Sequence, residues 1–283
     1  MTRTTWWTRV ATGCLAVGLA TGQASAATAA SAAVDVQLVE AVSPSTDSDK
    51  SVRALCPRGT KLYSAGGAVD NRSGDVVIDS IWPVADLSGV VVRARSRTTT
   101  SAWAVTAYAL CAEGNPEPAR EEPFGTASVD LKEASDHCAV AGSLTGLGGK
   151  IVGNDAEDKA ALYGLVPDEG LTTATAMGSG PANAQWTVEA TAICDATMAG
   201  SLVRVVAEAG EFPDVEPQKA TATCDDGFQL MGGGGLVTGE TPDSDAVLVS
   251  AKPDPGADSM TVIAPDGASR WNVEAYAICL KEA

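Results

Sequence analysis

Histidine is almost missing from this chain: among 283 residues only His137 is present. A Ser-His-Asp or Cys-His catalytic arrangement would have to pass through it. It stands beside Cys138, where the two sibling segments described below carry Leu55 and Thr223. We read His137 as a surface turn residue and expect no catalytic residue there. One histidine is also too few for the histidine-rich zinc sets, and the cysteine spacing matches no zinc pattern. No metal and no cofactor are expected. Basic residues are scarce as well: 19 Lys and Arg face 36 Asp and Glu, for a formal charge of −17. Nucleic acid and anionic lipid would be repelled by such a chain. Beyond the N-terminus no apolar run is long enough to cross a bilayer as a helix. A 3.6-residue period is missing too, so helices are not expected.

The N-terminus reads as a secretory signal over residues 1–26. Arg3 and Arg9 are basic, residues 10–20 are apolar but short, and Ala24-Ser25-Ala26 is a small-residue cleavage site. Ala30-Ser31-Ala32 is a second candidate site. Loss of this segment takes the formal charge from −17 to −19 and removes Cys14 from the seven cysteines. The six that remain are an even set in an oxidising compartment, which favours disulfides over thiols. Solubility outside the cell is the plain reading of the acidity.

What the chain does have is a repeat. WAVTAYALC (103–111), WTVEATAIC (186–194) and WNVEAYAIC (271–279) are copies of one segment. Aligned on them, the pairs Cys56/Cys111, Cys138/Cys194 and Cys224/Cys279 enclose nearly equal spans. Inside each span the same landmarks recur in order: Leu62, Leu144 or Leu230; the doublets Gly66-Gly67, Gly148-Gly149 or Gly234-Gly235; then Pro83, Pro167 or Pro253. VDVQLVEA and LVRVVAEA form a prelude to the first and third copies. The nearest equivalent for the second is GTASVDLKEA (125–134). Three units follow: 33–114, 115–198 and 199–283.

The Trp-to-Cys segment has a period of two. Trp186, Val188, Ala190, Ala192 and Cys194 share one face, and the other two copies keep that face unchanged. Alanine is a poor strand former, so alanines held at two fixed places point to a close contact between sheets or around an axis. VVIDSIWP, AALYGLVP and AVLVSAKP are strands ended by proline, and GVVVRARS, LTTATAMG and SMTVIAPD are a further set. The expected fold is all-β: three homologous antiparallel repeats in a pseudo-threefold, β-prism-like body, each unit forming one sheet. Three small β-sandwich units in a row are the alternative. Disulfides are expected within each unit, Cys56 to Cys111, Cys138 to Cys194 and Cys224 to Cys279. Each closes a loop of about 55 residues, for which the chain-entropy model assigns about 4 kcal/mol. A core this rich in alanine and glycine needs such staples.

Other chemistry is thin. GSLTGLGGK (142–150) lacks the spacing of a phosphate loop. Its doublet recurs in every copy, which points to a bulge or a close backbone approach. Asp225-Asp226 and Asp155/Glu157/Asp158 are candidate carboxylates for glycoside cleavage, but neither set has a counterpart in the other copies. The segments NDAED (154–158) and DSD (47–49, 243–245) lack the glycine and terminal glutamate of a calcium loop. Trp82 replaces Val166 and Lys252 of the other units, and an aromatic at a strand end is a candidate ligand contact, suited to stacking on a sugar ring.

KSVRALCPRGTKLYSAGGAV, followed by a proline and WAVTAYALC, resembles a repeat of secreted actinomycete proteins with a C-P-x-G…G-G opening and a W-x-x-x-A-Y-A-x-C close. The alanine-rich, lysine-poor composition is in keeping with that source. Unit two departs at CAVAGSLTGLGG, and unit three has Asp225 in place of the proline. The resemblance implies export, repeats and bridges, and no established activity.

The expected function is that of a secreted or cell-surface, non-enzymatic binding protein. Fold-level analogy makes extracellular carbohydrate the first ligand class. The partner is otherwise an extracellular protein, with no nucleic acid and no membrane insertion. An extracellular hydrolase using loop carboxylates, and an inhibitor or structural coat protein, are the alternatives.

Overall fold

The period-two segments form the strands. Unit one contains β1 (Gln37–Val42), β2 (Lys50–Leu55), β3 (Lys61–Val69), β4 (Val76–Pro83), β5 (Gly89–Ser96) and β6 (Val105–Ala112). Unit two contains β7 (Ala119–Arg120), β8 (Phe124–Thr126), β9 (Leu131–His137), β10 (Ser143–Gly153), β11 (Ala161–Pro167), β12 (Thr173–Ser179) and β13 (Trp186–Asp195). Unit three contains β14 (Leu202–Glu208), β15 (Lys219–Thr223), β16 (Phe228–Gly239), β17 (Ser250–Asp254), β18 (Ser259–Ile263) and β19 (Trp271–Lys281). The computed structural model describes residues 34–98, 101–114, 118–121, 124–126, 131–139, 142–153, 160–180, 186–209, 218–239, 246–266 and 271–282. The signal segment 1–26 and the acidic stretches 154–158 and 243–245 lie outside them. No helix occurs among the described residues, and so none long and apolar enough to cross a membrane.

Three antiparallel sheets result: β1-β6-β3-β17-β18-β15, then β2-β5-β4-β10-β13-β7 with β8 also on β13, then β14-β19-β16-β11-β12-β9. The expectation of one sheet per unit is overturned. Each unit sends its first strand (β1, β7 with β8, or β14), the strand after its first cysteine (β3, β10 or β16) and its Trp-to-Cys strand (β6, β13 or β19) to one sheet, and its other three strands to the next. The seams are continuous ladders. Lys150 of β10 faces Ser80 of β4, Leu165 of β11 faces Gly235 of β16, and Ala251 of β17 faces Gly67 of β3. Unit one is thus paired to two, two to three and three back to one. This closed cycle excludes three sandwiches in a row, and residues Ala32–Ala283 form one compact unit. The physical reason is burial. A unit of small residues cannot cover its own apolar face, and one contiguous core runs from Leu62 through Leu144 to Leu230.

The unit-two prelude also differs from expectation. Its role is taken by β7 and β8, which pair with β13 as β1 pairs with β6 and β14 with β19. Of GTASVDLKEA, Gly125 and Thr126 lie in β8, whereas residues 131–134 belong to β9, the counterpart of β2 and β15.

The glycine doublets serve close approach, and the bulges sit just before them, where the register shifts between Leu62/Ser64, Leu144/Gly146 and Leu230/Gly232. A Cβ on Gly148 would lie 2.3 Å from Pro83 Cδ across the seam, and one on Gly149 would lie 2.8 Å from Ala176 Cβ of the next sheet. The bulged strands β3, β10 and β16 meet one another. A Cβ on Gly146 would lie 2.2 Å from the Tyr63 carbonyl oxygen, and one on Gly232 would lie 2.1 Å from that of Thr145.

Each disulfide forms as expected, with Cα–Cα distances of 5.6 Å for Cys56–Cys111 and 5.7 Å for Cys138–Cys194 and Cys224–Cys279. Because Cys56 follows β2 and Cys111 lies in β6, the bridge joins two sheets rather than two strands of one. The repeated tryptophans are buried, and their surroundings repeat too. Lys50 Nζ lies 3.5 Å from the Trp103 ring centroid, and Lys132 Nζ lies 4.3 Å from that of Trp186. Gln218 takes the same place in unit three and accepts a 2.7 Å bond from the Trp271 N–H.

The β11–β12 turn is held by Asp168. Its carboxylate accepts the N–H groups of Thr172 and Thr173, both at 2.7 Å, and the Thr172 hydroxyl at 3.0 Å. Partial burial works against the charge, but these donors outweigh it and hold the carboxyl below its ordinary value. A carboxyl depressed on folding contributes stability above its unfolded value, about 3.9, and loses it as pH falls through the folded value. Asp168→Asn is therefore expected to melt below the wild type at pH 7. The gap should close as acid titration passes below about pH 3.9, followed by circular dichroism.

Candidate functional site

Repeats supply an internal control. A residue type found in all three copies serves the scaffold, and one found in a single copy is not required by it. The outer face of the second sheet, at the seam of units one and two, holds such singular residues together.

Strand β5 alternates sharply. Val90, Val92 and Ala94 point into the core and are fully buried. Arg93 and Arg95 point outward, and Arg97, one step beyond the strand, continues the alternation. Same-face neighbours along a strand are about 6.8 Å apart, so the guanidinium stems form a short row. Arg53 of β2 stands opposite Val91 in the ladder. The equivalent positions in the other sheets are neutral. Arg53 corresponds to Ser135 and Thr221, Arg93 to Met177 and Ile263, and Arg95 to Ser179 and Pro265.

Asp79 anchors this row. It is the bulged residue of β4, where the register shifts between Ile78 and Ser80, so its side chain turns outward beneath the arginines. Its side chain has no exposed surface. Arg93 Nε donates to one carboxylate oxygen at 2.7 Å, and Arg95 Nε lies 2.5 Å from the other. Burial pushes the Asp79 carboxyl above its ordinary value, while the hydrogen bond and charge of Arg93 and the charge of Arg95 pull it back. Arg93 also donates from Nη2 to the Ile151 carbonyl at 3.2 Å and so ties unit one to unit two. The other copies place Tyr163 and Val249 at the Asp79 position.

Trp82 lies on the same face, three residues along β4, and is partly exposed. Lys150 Nζ of β10 is 4.2 Å from its ring centroid, and Arg120 Cζ of β7 is 5.6 Å away. Arg120 donates to the Pro83 carbonyl at 3.0 Å, as Arg204 donates to that of Pro167 at 2.8 Å in the next sheet. That contact belongs to the scaffold. Lys150, by contrast, replaces Ala68 and Leu236, and it pairs with Glu189 at 2.7 Å. The ring expected to stack on a sugar thus engages the protein's own cations, which it holds in place by cation–π attraction.

The face collects Arg53, Arg93, Arg95, Arg97, Arg120 and Lys150, six of the chain's 19 cations. Among the described residues the carboxylates beside them include Asp79, paired with Arg93 and Arg95, and Glu189, paired with Lys150, with Asp49, Asp75 and Asp86 at the rim. This is a locally positive surface on an acidic protein. Its signal is present in the sequence as the period-two arginines of VRARSR.

The other expected residues fall elsewhere. His137 is exposed as expected but ends strand β9 rather than lying in a turn, and its Nδ1 lies 2.9 Å from Thr173 Oγ1 across the β9–β12 pair. The backbone carbonyl of Asp225 closes the β15–β16 turn by accepting the Phe228 N–H. Asp155, Glu157, Asp158, Asp243 and Asp245 lie outside the described residues. Among those described, no group of three or more His, Cys, Asp or Glu is arranged to hold a metal ion. A separate cavity of about 460 Å³ lies beside the bulge of β3, lined by Asp35, Thr60, Tyr63, Glu113, Asp195 and Thr197 among others. In it the buried Asp195 accepts the Tyr63 hydroxyl at 3.2 Å and the Thr197 N–H at 2.7 Å.

No protein-family model matches this chain, and no curated protein matches it.

Proposed function

We propose that this is an exported, non-enzymatic binding protein of the extracellular space or cell wall, and that its ligand is a carbohydrate met on the outer face of the second sheet. One observation carries the reading: the residues of that face, Trp82, Lys150, Arg53 and Arg93, have no like counterpart in the two sibling sheets, although the strands beneath them run in the same order. A strand surface gives such residues rigid placement, and polar groups with an aromatic among them suit a hydroxyl-rich ligand with apolar ring faces. The three interlocked sheets and their disulfides supply rigidity, which lowers the ordering cost of binding. The resemblance to secreted actinomycete repeats agrees with export.

A glycan array probed with the mature chain, residues 27–283, tests this. Binding is expected, and Trp82→Ala is expected to weaken it by about tenfold, the effect of losing one well-placed aromatic and the cation alignment it supports. Silence on the array with folded protein removes the carbohydrate reading.

A further inference from the structure

We infer that the second sheet's outer face is built for a polyanionic glycan, a chain of sugar rings bearing carboxylates such as a polyuronate, rather than for a neutral one. This rests on the binding face proposed above and names the ligand's charge.

Arg53, Arg93 and Lys150 replace neutral side chains of the sibling sheets at positions where the backbone needs no charge. Arg93 is fixed by Asp79 below and by the Ile151 carbonyl beside it, and Lys150 is fixed by Glu189 and the Trp82 ring. Guanidinium groups held by second partners are preorganised for planar carboxylates. Arg93 of β5, Ser80 of β4 and Lys150 of β10 lie opposite one another in the ladder, so Arg93 and Lys150 stand two strands apart on one line across the sheet. The partly exposed Val91 and the exposed Val152 lie among the cations, so the surface offers apolar contact between charges. Sugar rings with C–H faces use that contact. A chain of polyol phosphates has no such rings.

Duplex nucleic acid carries a charge every ~1.7 Å of its axis and is stiff. It would run off this short face onto the acidic remainder of a chain with a formal charge of −17. A flexible polymer with one carboxylate per ring meets the cations and bends away.

The test is titration of the mature protein with polygalacturonate, its methyl-esterified form, an inorganic polyphosphate and duplex DNA, at low and at high salt. Polygalacturonate is expected to bind and to lose affinity by about tenfold or more between ~50 and ~200 mM salt. The ester is expected to bind weakly. The double variant Arg53→Glu/Lys150→Glu should abolish binding. Arg53→Gln/Lys150→Gln, which removes the two charges without reversing them, should weaken it about tenfold with an unchanged Tm. Equal affinity for the ester and the acid overturns the inference and leaves the carbohydrate reading standing. Equal affinity for polyphosphate or DNA overturns it too, because the face would then read charge alone. Failure to bind either galacturonan overturns it as well; glycan-array binding elsewhere would still separate that outcome from failure of the broader reading.

Discussion

Serine at both Cys56 and Cys111 should lower the unfolding free energy by about 4 kcal/mol, the chain entropy released when a loop of about 55 residues is freed. That is a large part of the net stability of an ordinary domain, about 5–15 kcal/mol. The location adds to the effect. The bridge ties the end of β2, an edge strand of the second sheet, to β6 in the first sheet. Edge strands have one neighbour only, and β2 contacts the rest of its ladder through β5 alone. We expect urea unfolding of the double variant to shift to lower denaturant, and the β2 amides to exchange with solvent sooner than those of β4. An unchanged midpoint would mean that the staple is dispensable and that the core alone holds the sheets together.

The second large effect is at Ala190. It is fully buried on the inner face of β13 and faces Gly149 of β10 in the ladder. Gly149 itself has no space for a side chain, since a Cβ there would lie 2.7 Å from Leu165 Cδ2 of the third sheet. Leucine at position 190 would place a branched chain in that contact between sheets. Overpacking of this kind costs about 1–3 kcal/mol and occasionally more, and here the neighbouring backbones are locked into a cycle and cannot move apart singly. We expect Ala190→Leu to lower stability by about 3 kcal/mol or more. Leucine at Thr187, on the opposite and partly exposed face of the same strand, should change it by less than about 0.5 kcal/mol. Equal melting temperatures for the two variants would refute the tight contact.

Much of the site was legible too, once the copies are compared position by position. Trp82 stood out because its equivalents are Val166 and Lys252. Arg93 and Arg95 were equally singular against Met177, Ile263, Ser179 and Pro265, yet sequence alone does not reveal that they share a face with Lys150. That residue comes from another unit and joins them only through the β4–β10 seam. Asp79 was hidden for a different reason. A bulge shifts the alternation by one residue, so strict period-two counting gives it the wrong face. The net acidity argues against nucleic acid and anionic lipid as partners, and a global sum says nothing of cations gathered on one sheet.

The sequence by itself determined the three units, the strand periods, the buried face of each Trp-to-Cys strand and the pairing of the six cysteines. These are local or repeat-bound properties, set by side-chain alternation and by equal spacing. Only the tertiary structure decided which strand lies beside which. Backbone ladders are nearly indifferent to side chains, so a period-two pattern names a strand's inward face but not its neighbour. The neighbour was chosen by burial. With alanines and glycines inside, no unit covers its own core, and exchanging half of its strands with the next unit closes one core for all three.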